Sequence, residues 1–175
     1  MDDVILLSEN GIPVGVLPKS EVHSAETPLH LAFSCHVTDA AGRMLVTRRA
    51  LGKSTWPGVW TNSFCGHPRP GEDMLDAVRR RAQDELGVAL TSIRLVLPEY
   101  RYRAVDAGGI VENEICPVHV AVIDGRLSPD PDEVAEWAWV GADDLAEAVE
   151  RTPFVFSPWL REQLPLLREQ GEMRR

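Results

Sequence analysis

A fixed spacing of glycine, acidic and basic residues between Gly66 and Gly87 constrains this chain more than any other feature. The pattern is G-x5-E-x7-R-x3-D-E-x-G, and it runs from Gly66 through Glu72 and Arg80 to Gly87. Its first part is rich in glycine and proline, which favour a loop, and its second part has the period of a helix. The pattern therefore predicts a strand that ends in a loop, followed by a helix whose inner turn is acidic.

The helical half of the pattern covers residues 73–86. Its apolar stripe consists of Leu75, Val78, Ala82 and Leu86. Beside the stripe, Arg80 is four residues from Asp84, and Arg81 is four residues from Glu85. This spacing brings opposite charges together on one helix face. Gly87 predicts the helix end, because glycine tolerates the left-handed conformation of a C-terminal cap.

Apolar and alternating segments on both sides of this helix predict β-strands. They cover residues 4–8, 12–17, 29–38, 44–48, 59–65, 93–103, 110–123 and 134–140. Asn10-Gly11 separates the first two, and this dipeptide favours a tight hairpin turn. Two further helices are expected over residues 142–150 and 158–170. The order of elements predicts an α/β (α+β) fold in which mixed β-sheets are sandwiched by helices.

The length and composition fit one domain. A chain of 175 residues, 44% of them hydrophobic, can bury a substantial core but is short for two domains. We expect a single domain over residues 1–175, with the N-terminal segment 1–28 packed onto it. The chain has no apolar run long enough to span a bilayer, and its acidic start lacks the basic region of a signal peptide. The odd count of three cysteines favours free thiols, so we predict a cytoplasmic protein without a membrane partner.

The charge balance restricts the class of ligand. A formal net charge of −9 disfavours nonspecific binding to nucleic acid, which requires a basic face that displaces counterions. It also repels an anionic small molecule, so a phosphate site requires a local basic cluster. The densest basic stretch is residues 48–53, and a loop with Trp56 and Trp60 follows it.

Histidine and glutamate residues in separate segments form a candidate metal site. Glu112 and Glu114 are two residues apart in a predicted apolar strand, so both carboxylates project from the same face. Adjacent buried carboxylates are costly unless a cation or a proton neutralises one of them. Together with His23, His30 and His67 they form an N3O2 set that suits a divalent ion, namely Mn²⁺, Mg²⁺ or Zn²⁺. The alternative is a solvated strand edge.

Some titratable residues fall outside this set. His36 lies too far along its strand from His30 to share a metal, and His119 has the opposite parity to Glu112 and Glu114. We expect both histidines, together with Cys35 and Cys116, to be structural.

Cys65 and Tyr102 are candidates for proton transfer. Cys65 shares a strand face with His67, and nearby cations would lower its pKa and populate the thiolate. The alternative is a buried, inert thiol. Tyr100 and Tyr102 share a face of the strand before Glu114, and a tyrosine there could donate a hydrogen bond across the strands to that carboxylate. We favour Tyr102 for this role and expect Tyr100 to pack.

These motifs resemble a known family. The pattern from Gly66 to Gly87 resembles the Nudix box, whose loop and helix hold divalent cations against a diphosphate. The segments LHLAFS, LVTRRAL, WPGVWTNSFCGHP, YRYRA, GIVENEICPV and FSPW resemble the type I isopentenyl diphosphate isomerases, which have the Nudix fold. The resemblance extends from Val4 to about Leu167.

The resemblance implies a role for each matching residue. It implies that Cys65 and Glu114 are the two acid/base groups, with Tyr102 beside Glu114. The five-residue His/Glu set would hold one divalent ion, and Glu85 would help to place Mg²⁺ on the diphosphate. Basic residues would contact the phosphate oxygens, and Trp159 would line the hydrocarbon pocket. The basic residues are Lys19, Arg49, Lys53 and Arg81.

The implied reaction interconverts isopentenyl and dimethylallyl diphosphate, precursors in isoprenoid biosynthesis. It adds a proton at C4 and removes one from C2, so it needs two groups on opposite sides of a flat five-carbon unit. The partner is a small isoprenoid diphosphate, and the enzyme is expected to be a monomer or a homodimer. The intermediate has carbocation character, so the pocket must exclude water, and an indole face would stabilise the charge.

Two positions of the box depart from the Nudix hydrolases. Arg81 replaces a glutamate that hydrolases usually carry, and Asp84 replaces the first of their paired glutamates. A weaker acidic cluster disfavours activation of water and favours isomerisation. The alternatives are a Nudix hydrolase of a nucleoside diphosphate derivative and a noncatalytic metal-binding module.

Overall fold

The structure, a computed structural model, describes residues 3–173. The single domain predicted over residues 1–175 therefore includes Met1, Asp2, Arg174 and Arg175, which lie outside the described residues. In the described part, no helix combines the length and apolarity that a membrane crossing requires.

The described residues form strands and helices in the following order. The strands are β1 (Asp3–Leu7), β2 (Pro13–Pro18), β3 (His30–Leu31), β4 (Phe33–Thr38), β5 (Met44–Arg49), β6 (Trp60–Thr61), β7 (Phe64–Gly66), β8 (Ala89–Leu97), β9 (Arg101–Val105), β10 (Val111–Ile115), β11 (Val118–Asp124) and β12 (Val134–Val140). The helices are α1 (Lys19–Val22), α2 (Met74–Leu86), α3 (Ala142–Arg151) and α4 (Pro158–Glu169), with a 3-10 turn at Pro153–Val155.

The strands form two mixed sheets. The first has five strands in the order β2-β1-β3-β10-β9, and in it β10 runs parallel to β3. The second has seven strands, with β12-β5-β4-β11-β8 in sequence and with β6 on β5 and β7 on β4. Its strands β4 and β11 are parallel. Mixed sheets accompanied by helices confirm the predicted fold class.

Helices cover both faces of the second sheet because its strands alternate. On β5, Leu45 packs in a core with Val78 and Leu86 of α2. The neighbouring Met44 and Val46 point to the other face and pack with side chains of α3 and α4. The central strands β4 and β5 are therefore buried on both sides, whereas β8 at the edge is largely exposed.

Four predicted strands each divide into two. Residues 29–38, 93–103 and 110–123 all begin in one sheet and end in the other, with breaks near Ala32, Pro98 and Pro117. Residues 59–65 divide into β6 and β7, which pair with different strands of the second sheet. The prediction of single strands was therefore wrong. At Ala32 the alternation of apolar residues continues while the chain changes its hydrogen-bonding partner, whereas Pro98 and Pro117 mark the other two changes of sheet.

The predicted turn at Gly11 and the predicted helix end at Gly87 are confirmed. Gly11, with φ of 75°, lies in the turn between β1 and β2. The Asp73 carboxylate accepts a hydrogen bond from the Leu75 amide at 2.8 Å and caps the start of α2. Gly87 ends this helix with φ of 63°. A Cβ atom there would lie 2.5 Å from the carbonyl oxygen of Ser128, so only glycine fits.

The close packing at Gly66 gives a stability prediction. A Cβ atom at this position would lie 2.7 Å from Cγ of Arg81 and 2.9 Å from Cζ of Phe33, which is fully buried. We expect Gly66→Ala to lower the free energy of unfolding by about 1–3 kcal/mol, because the core must shift to admit the methyl group. Urea denaturation measures this change.

Gly52→Ala is the matched control, since no atom lies within 4 Å of a Cβ there. It should alter the free energy of unfolding by less than about 0.5 kcal/mol. Equal stability of the two variants would contradict the packing argument.

Candidate active site

One cavity collects nearly all the residues singled out in the sequence. Its lining includes Lys19, His23, Arg49, Lys53, Cys65, His67, Arg81, Glu85, Tyr102, Glu112, Glu114 and Trp159. His30 is fully buried behind this lining and contacts Glu114. The chain thus brings distant segments from both sheets and from the N-terminal region to one place.

The histidines and one glutamate converge at one end of the cavity. One ligand atom from each of His23, His30, His67 and Glu114 lies within 4.8 Å of the others. Glu114 on β10 is the parallel cross-strand partner of His30 on β3. His67 directly follows β7, so the group joins the two sheets. The fifth predicted ligand, Glu112, contacts the group through His23.

The unsatisfied atoms in this group fit a divalent cation. Nε2 of His23 lies 3.0 Å from Oε2 of Glu112, yet neither atom has a hydrogen-bond partner among the described residues. Nε2 of His30 is also buried without a partner, whereas its Nδ1 lies 2.9 Å from the Pro28 carbonyl oxygen. Nδ1 therefore carries the proton, and Nε2 presents a lone pair, as in metal-bound histidines. Buried lone pairs that face one another are costly unless they share a cation.

The same contacts determine the charge of Glu114. Burial disfavours its ionised form, but the contacts with His30 and His67 outweigh burial and hold the pKa of Glu114 well below its usual range. Against the effect of its own burial, contact with Glu114 raises the pKa of His30, whereas burial lowers the pKa of His67. Glu114 is therefore a carboxylate at neutral pH.

Cys65 lies at the same cavity with its proton in place. Burial raises the pKa of the thiol to about 12, and the negative charges of Glu114 and Glu85 add to this effect. The expectation of a thiolate depended on nearby cations, whereas burial and the charges of the two carboxylates favour the protonated thiol. The Cys65 thiol donates to Oδ1 of Asn62 at 3.4 Å, and Oγ of Ser34 lies 3.3 Å from its sulfur.

Tyr102 lies directly opposite Glu114 in the β9–β10 pair. Burial, together with the charges of Glu114 and Glu112, raises its pKa well above the usual value, so its hydroxyl keeps its proton. Its ring is 5.9 Å from that of Tyr100 and 5.6 Å from that of Trp159. Tyr100 packs as expected, and its hydroxyl donates to Glu162 at 2.9 Å.

Trp159 forms an aromatic wall next to Cys65. Its indole is 2% exposed, and its ring lies edge-on to Trp56 at 5.4 Å between centroids. Nε1 of Trp159 donates to Oδ1 of Asn62 at 2.9 Å, the same oxygen that accepts from the Cys65 thiol. The Asn62 side chain thus connects the thiol and the indole.

The other end of the cavity is basic but partly neutralised. Arg81 forms an ion pair with Glu85 on its own helix, and Lys53 forms one with Glu133. The Arg81 guanidinium also lies 3.2 Å from the Glu133 carboxylate. Burial lowers the pKa of Lys19, and the charges of Arg81 and Lys53 lower it further. Arg49 donates to the carbonyl oxygen of Thr55 at 2.8 Å.

Sequence reasoning missed Glu133, Asn62 and Ser34. Glu133 lies in an acidic stretch before β12 that has no periodicity, so nothing in the sequence relates it to Lys53 or Arg81. Asn62 is a polar residue inside an apolar segment, a signal that could have identified it as buried and hydrogen-bonded.

Comparisons with known proteins show the family of this chain. The family model for the NUDIX domain matches residues 28–160. The isopentenyl-diphosphate Delta-isomerase of Clavibacter sepedonicus is 63% identical over 164 residues, which are 94% of this chain and 86% of that protein. The protein with the same name from Paenarthrobacter aurescens is 60% identical over 95% of this chain and 90% of its own length.

Solved structures share the fold at low identity. DR0079 from Deinococcus radiodurans superposes with a TM-score of 0.73 at 18% identity, covering 94% of this chain and 98% of that one. A MutT protein from Methanosarcina mazei has a TM-score of 0.64 at 16% identity, covering 85% of this chain and 99% of that one.

The convergent donor atoms predict tight binding of one divalent ion. In calorimetric titration of the metal-free protein with Mn²⁺, we expect one strong site and at least about a tenfold loss of affinity in His67→Ala. His119→Gln is the control, because His119 is a buried histidine outside the group. Equal affinities in the wild type and His67→Ala would contradict the site.

His36 gives a prediction for pH. Burial lowers its pKa from its usual value near 6.5 to about 4, so the unfolded chain binds more protons than the folded chain between these values. Stability attributable to His36 therefore decreases as pH falls from 6.5 to 4, by about 1.4 kcal/mol per pH unit. Urea denaturation of the wild type and His36→Gln over this range measures the difference. Parallel curves would contradict it.

Proposed function

We propose that this chain, which belongs to the NUDIX family and within it to the isopentenyl-diphosphate Delta-isomerases, interconverts isopentenyl and dimethylallyl diphosphate by moving one double bond. The chain is an enzyme of the isomerase class. The observation that carries the mechanism is that Cys65 and Glu114 line the same cavity. Burial raises the pKa of the thiol, and contacts with His30 and His67 lower the pKa of the carboxyl group.

The two groups supply what the reaction requires. One proton is added at C4 and one is removed from C2, so the pair must carry a single proton between them. A protonated Cys65 and an ionised Glu114 carry that number. After one turnover the proton has moved from one group to the other. Tyr102, a protonated phenol opposite Glu114, is proposed to donate to the free carboxylate oxygen and hold its orientation.

The aromatic wall suits a reaction through a carbocation. Positive charge develops at C3 when the alkene is protonated, and water would trap it. Trp159 and Tyr102 occupy this part of the cavity, and a desolvated indole face stabilises a cation by roughly 1–2 kcal/mol. These rings also exclude water.

The basic end of the cavity is proposed to hold the diphosphate. Lys19, Arg49, Lys53 and Arg81 all line it, and a diphosphate would compete with Glu85 and Glu133 for the last two of these cations. Glu85 would offer its carboxylate to the Mg²⁺ that accompanies the diphosphate. The diphosphate then serves as a handle, and its bonds stay intact.

A second divalent ion is proposed at the group of His23, His30, His67, Glu112 and Glu114. These side chains present imidazole and carboxylate donors, so Mn²⁺, Mg²⁺ and Zn²⁺ are the candidate ions. When bound, the ion supplies positive charge that keeps the buried carboxylates together and fixes one oxygen of Glu114.

Residues 1–175 are proposed to act as one catalytic unit. Lys19 and His23 from the N-terminal segment line the same cavity as Cys65 and Trp159, which supports this arrangement. A cytoplasmic location and a monomeric or homodimeric state stay predictions from the sequence.

The side chains of helix α2 argue against the alternative, hydrolysis of a nucleoside diphosphate derivative. Arg81 lies at a position where the Nudix hydrolases usually have glutamate, and it pairs with Glu85 and Glu133. Carboxylates paired in this way are poorly disposed to bind several metals and activate water. The cavity with its thiol also argues against a metal-binding module without activity.

Turnover of isopentenyl diphosphate with Mg²⁺ tests the proposal. We expect dimethylallyl diphosphate as the product, and Cys65→Ala and Glu114→Gln should each lower kcat by at least about 100-fold, because each removes one proton-transfer group. Product analysis by chromatography measures the rates.

Cys35→Ala is the matched thiol control, since Cys35 is buried in the core outside the cavity lining. It should retain kcat within about threefold. Absence of the product from a folded wild-type protein would refute the activity, and a near-normal rate in Cys65→Ala would refute the assignment of the thiol.

A further inference from the structure

A chain of buried hydrogen bonds reaches Cys65 from the protein interior. Nε2 of His36 lies 2.8 Å from Oε1 of Gln163, and Nε2 of Gln163 donates to Oγ of Ser34 at 3.0 Å. Oγ of Ser34 lies 3.3 Å from the sulfur of Cys65. Ser34, His36 and Gln163 are at most 2% exposed. These hydrogen bonds therefore lead from His36 on β4 to Gln163 on α4, back to Ser34 on β4 and then to the thiol of Cys65.

The direction of each bond in this chain can be assigned. His36 is neutral at physiological pH, because burial lowers its pKa to about 4, so it has one N–H. Oε1 of Gln163 only accepts, which makes Nε2 of His36 the donor. Nε2 of Gln163 only donates, which makes Oγ of Ser34 an acceptor in that bond. The hydroxyl proton of Ser34 is then available for a sulfur.

Asn62 contacts the same sulfur with the opposite polarity. Its Oδ1 accepts from the Cys65 thiol at 3.4 Å. Its Nδ2 donates to the carbonyl oxygens of Cys35 and Phe64, at 3.0 and 2.8 Å, and these bonds fix which end of the amide faces the thiol. The sulfur thus has a hydroxyl donor in Ser34 and a carbonyl acceptor in Asn62.

The backbone explains the contact between Ser34 and Cys65. The two residues are cross-strand partners in the antiparallel β4–β7 pair, so their side chains point to the same face. Ser34 also lies 3.4 Å from the sulfur of Cys116, which is buried and outside the cavity lining. Of the two thiols within hydrogen-bonding distance of the Ser34 hydroxyl, only that of Cys65 therefore borders the cavity.

We propose that Ser34 and Gln163 are positioning residues for Cys65. The Ser34 hydroxyl, oriented by Gln163, donates a hydrogen bond to the sulfur of Cys65. The thiol itself donates to Oδ1 of Asn62. This inference rests on the proposed function. A hydrogen bond to an ionised partner is stronger than one between neutral groups, so the Ser34 bond strengthens when the sulfur loses its proton. Such an interaction acts on kcat more than on KM.

Steady-state kinetics with isopentenyl diphosphate separates this role from a structural one. Ser34→Ala should lower kcat about 10- to 100-fold with KM unchanged, because it removes one hydrogen bond to a group that becomes charged. Ser34→Thr keeps the hydroxyl and should recover most of the loss. Gln163→Met removes the group that orients Ser34 and should lower kcat in the same direction.

Ser63→Ala is the matched control. Ser63 is also fully buried and lies two positions from Cys65, but its hydroxyl donates to the Leu45 carbonyl and accepts from the Val37 amide, each at 2.7 Å. Its loss should lower the melting temperature and leave kcat within about threefold. A fall in kcat as large as that of Ser34→Ala would overturn the inference.

Infrared spectroscopy tests the same contacts without turnover. The S–H stretching band of Cys65 is obtained from the difference between wild type and Cys65→Ala, and it should shift in Ser34→Ala and in Gln163→Met but not in Ser63→Ala. An unmoved band together with kcat within about threefold of wild type in Ser34→Ala would overturn the inference. If the wild type gives no product, the proposed function fails, while the band still decides whether Ser34 bonds the sulfur.

Discussion

The meeting of buried imidazole nitrogens with buried carboxylates is the interaction on which the rest of this site depends. Each group by itself would be costly away from water, and buried atoms of His23, His30 and Glu112 have no hydrogen-bond partner among the described residues. A shared divalent ion would coordinate these nitrogen and oxygen atoms and so remove the cost of burying them unpaired. Since the donors come from the N-terminal segment, from β3 and β10 of one sheet and from the end of β7 in the other, the proposed ion would connect all of these parts.

The cavity must satisfy two opposite electrostatic requirements. The diphosphate needs cations, and the five-carbon unit needs a dry environment in which a transient positive charge is stable. The lining of the cavity carries both kinds of group, with Lys53 and Arg81 among its cations and Trp159 as a buried indole. The Arg49 guanidinium lies 5.7 Å from the centre of the Trp159 ring. Glu85 and Glu133 neutralise the basic end when no anion is bound, which keeps the buried cations from repelling one another. Asn62 connects the indole and the thiol, because its Oδ1 accepts hydrogen bonds from both Trp159 and Cys65.

Much of this arrangement could be predicted from the sequence, because the relevant signals are local. Two-residue parity places Glu112 and Glu114 on one face, and the spacing from Gly66 to Gly87 predicts helix α2 with its C-terminal cap at Gly87. The change of sheet at Ala32 could not be predicted, since alternation continues unbroken through it. Contacts across long sequence separations, such as Glu133 with Lys53, have no local signal. The protonation state of Cys65 could not be predicted from the sequence, because the burial that raises the pKa of its thiol depends on the complete fold.

The substitution of Arg81 links the local chemistry to the type of reaction. In this chain the helix that carries the box presents a guanidinium to two carboxylates. Burial raises the pKa of Glu85, and the charge of Arg81 opposes this effect without reversing it. An arginine here also adds a permanent positive charge beside Lys19 and Lys53. In the proposed function this charge favours binding of a diphosphate, and the arginine occupies a position where a further acidic side chain would help to activate water. The same fold can therefore hold a diphosphate firmly and leave its bonds uncut, so that chemistry occurs at the hydrocarbon end.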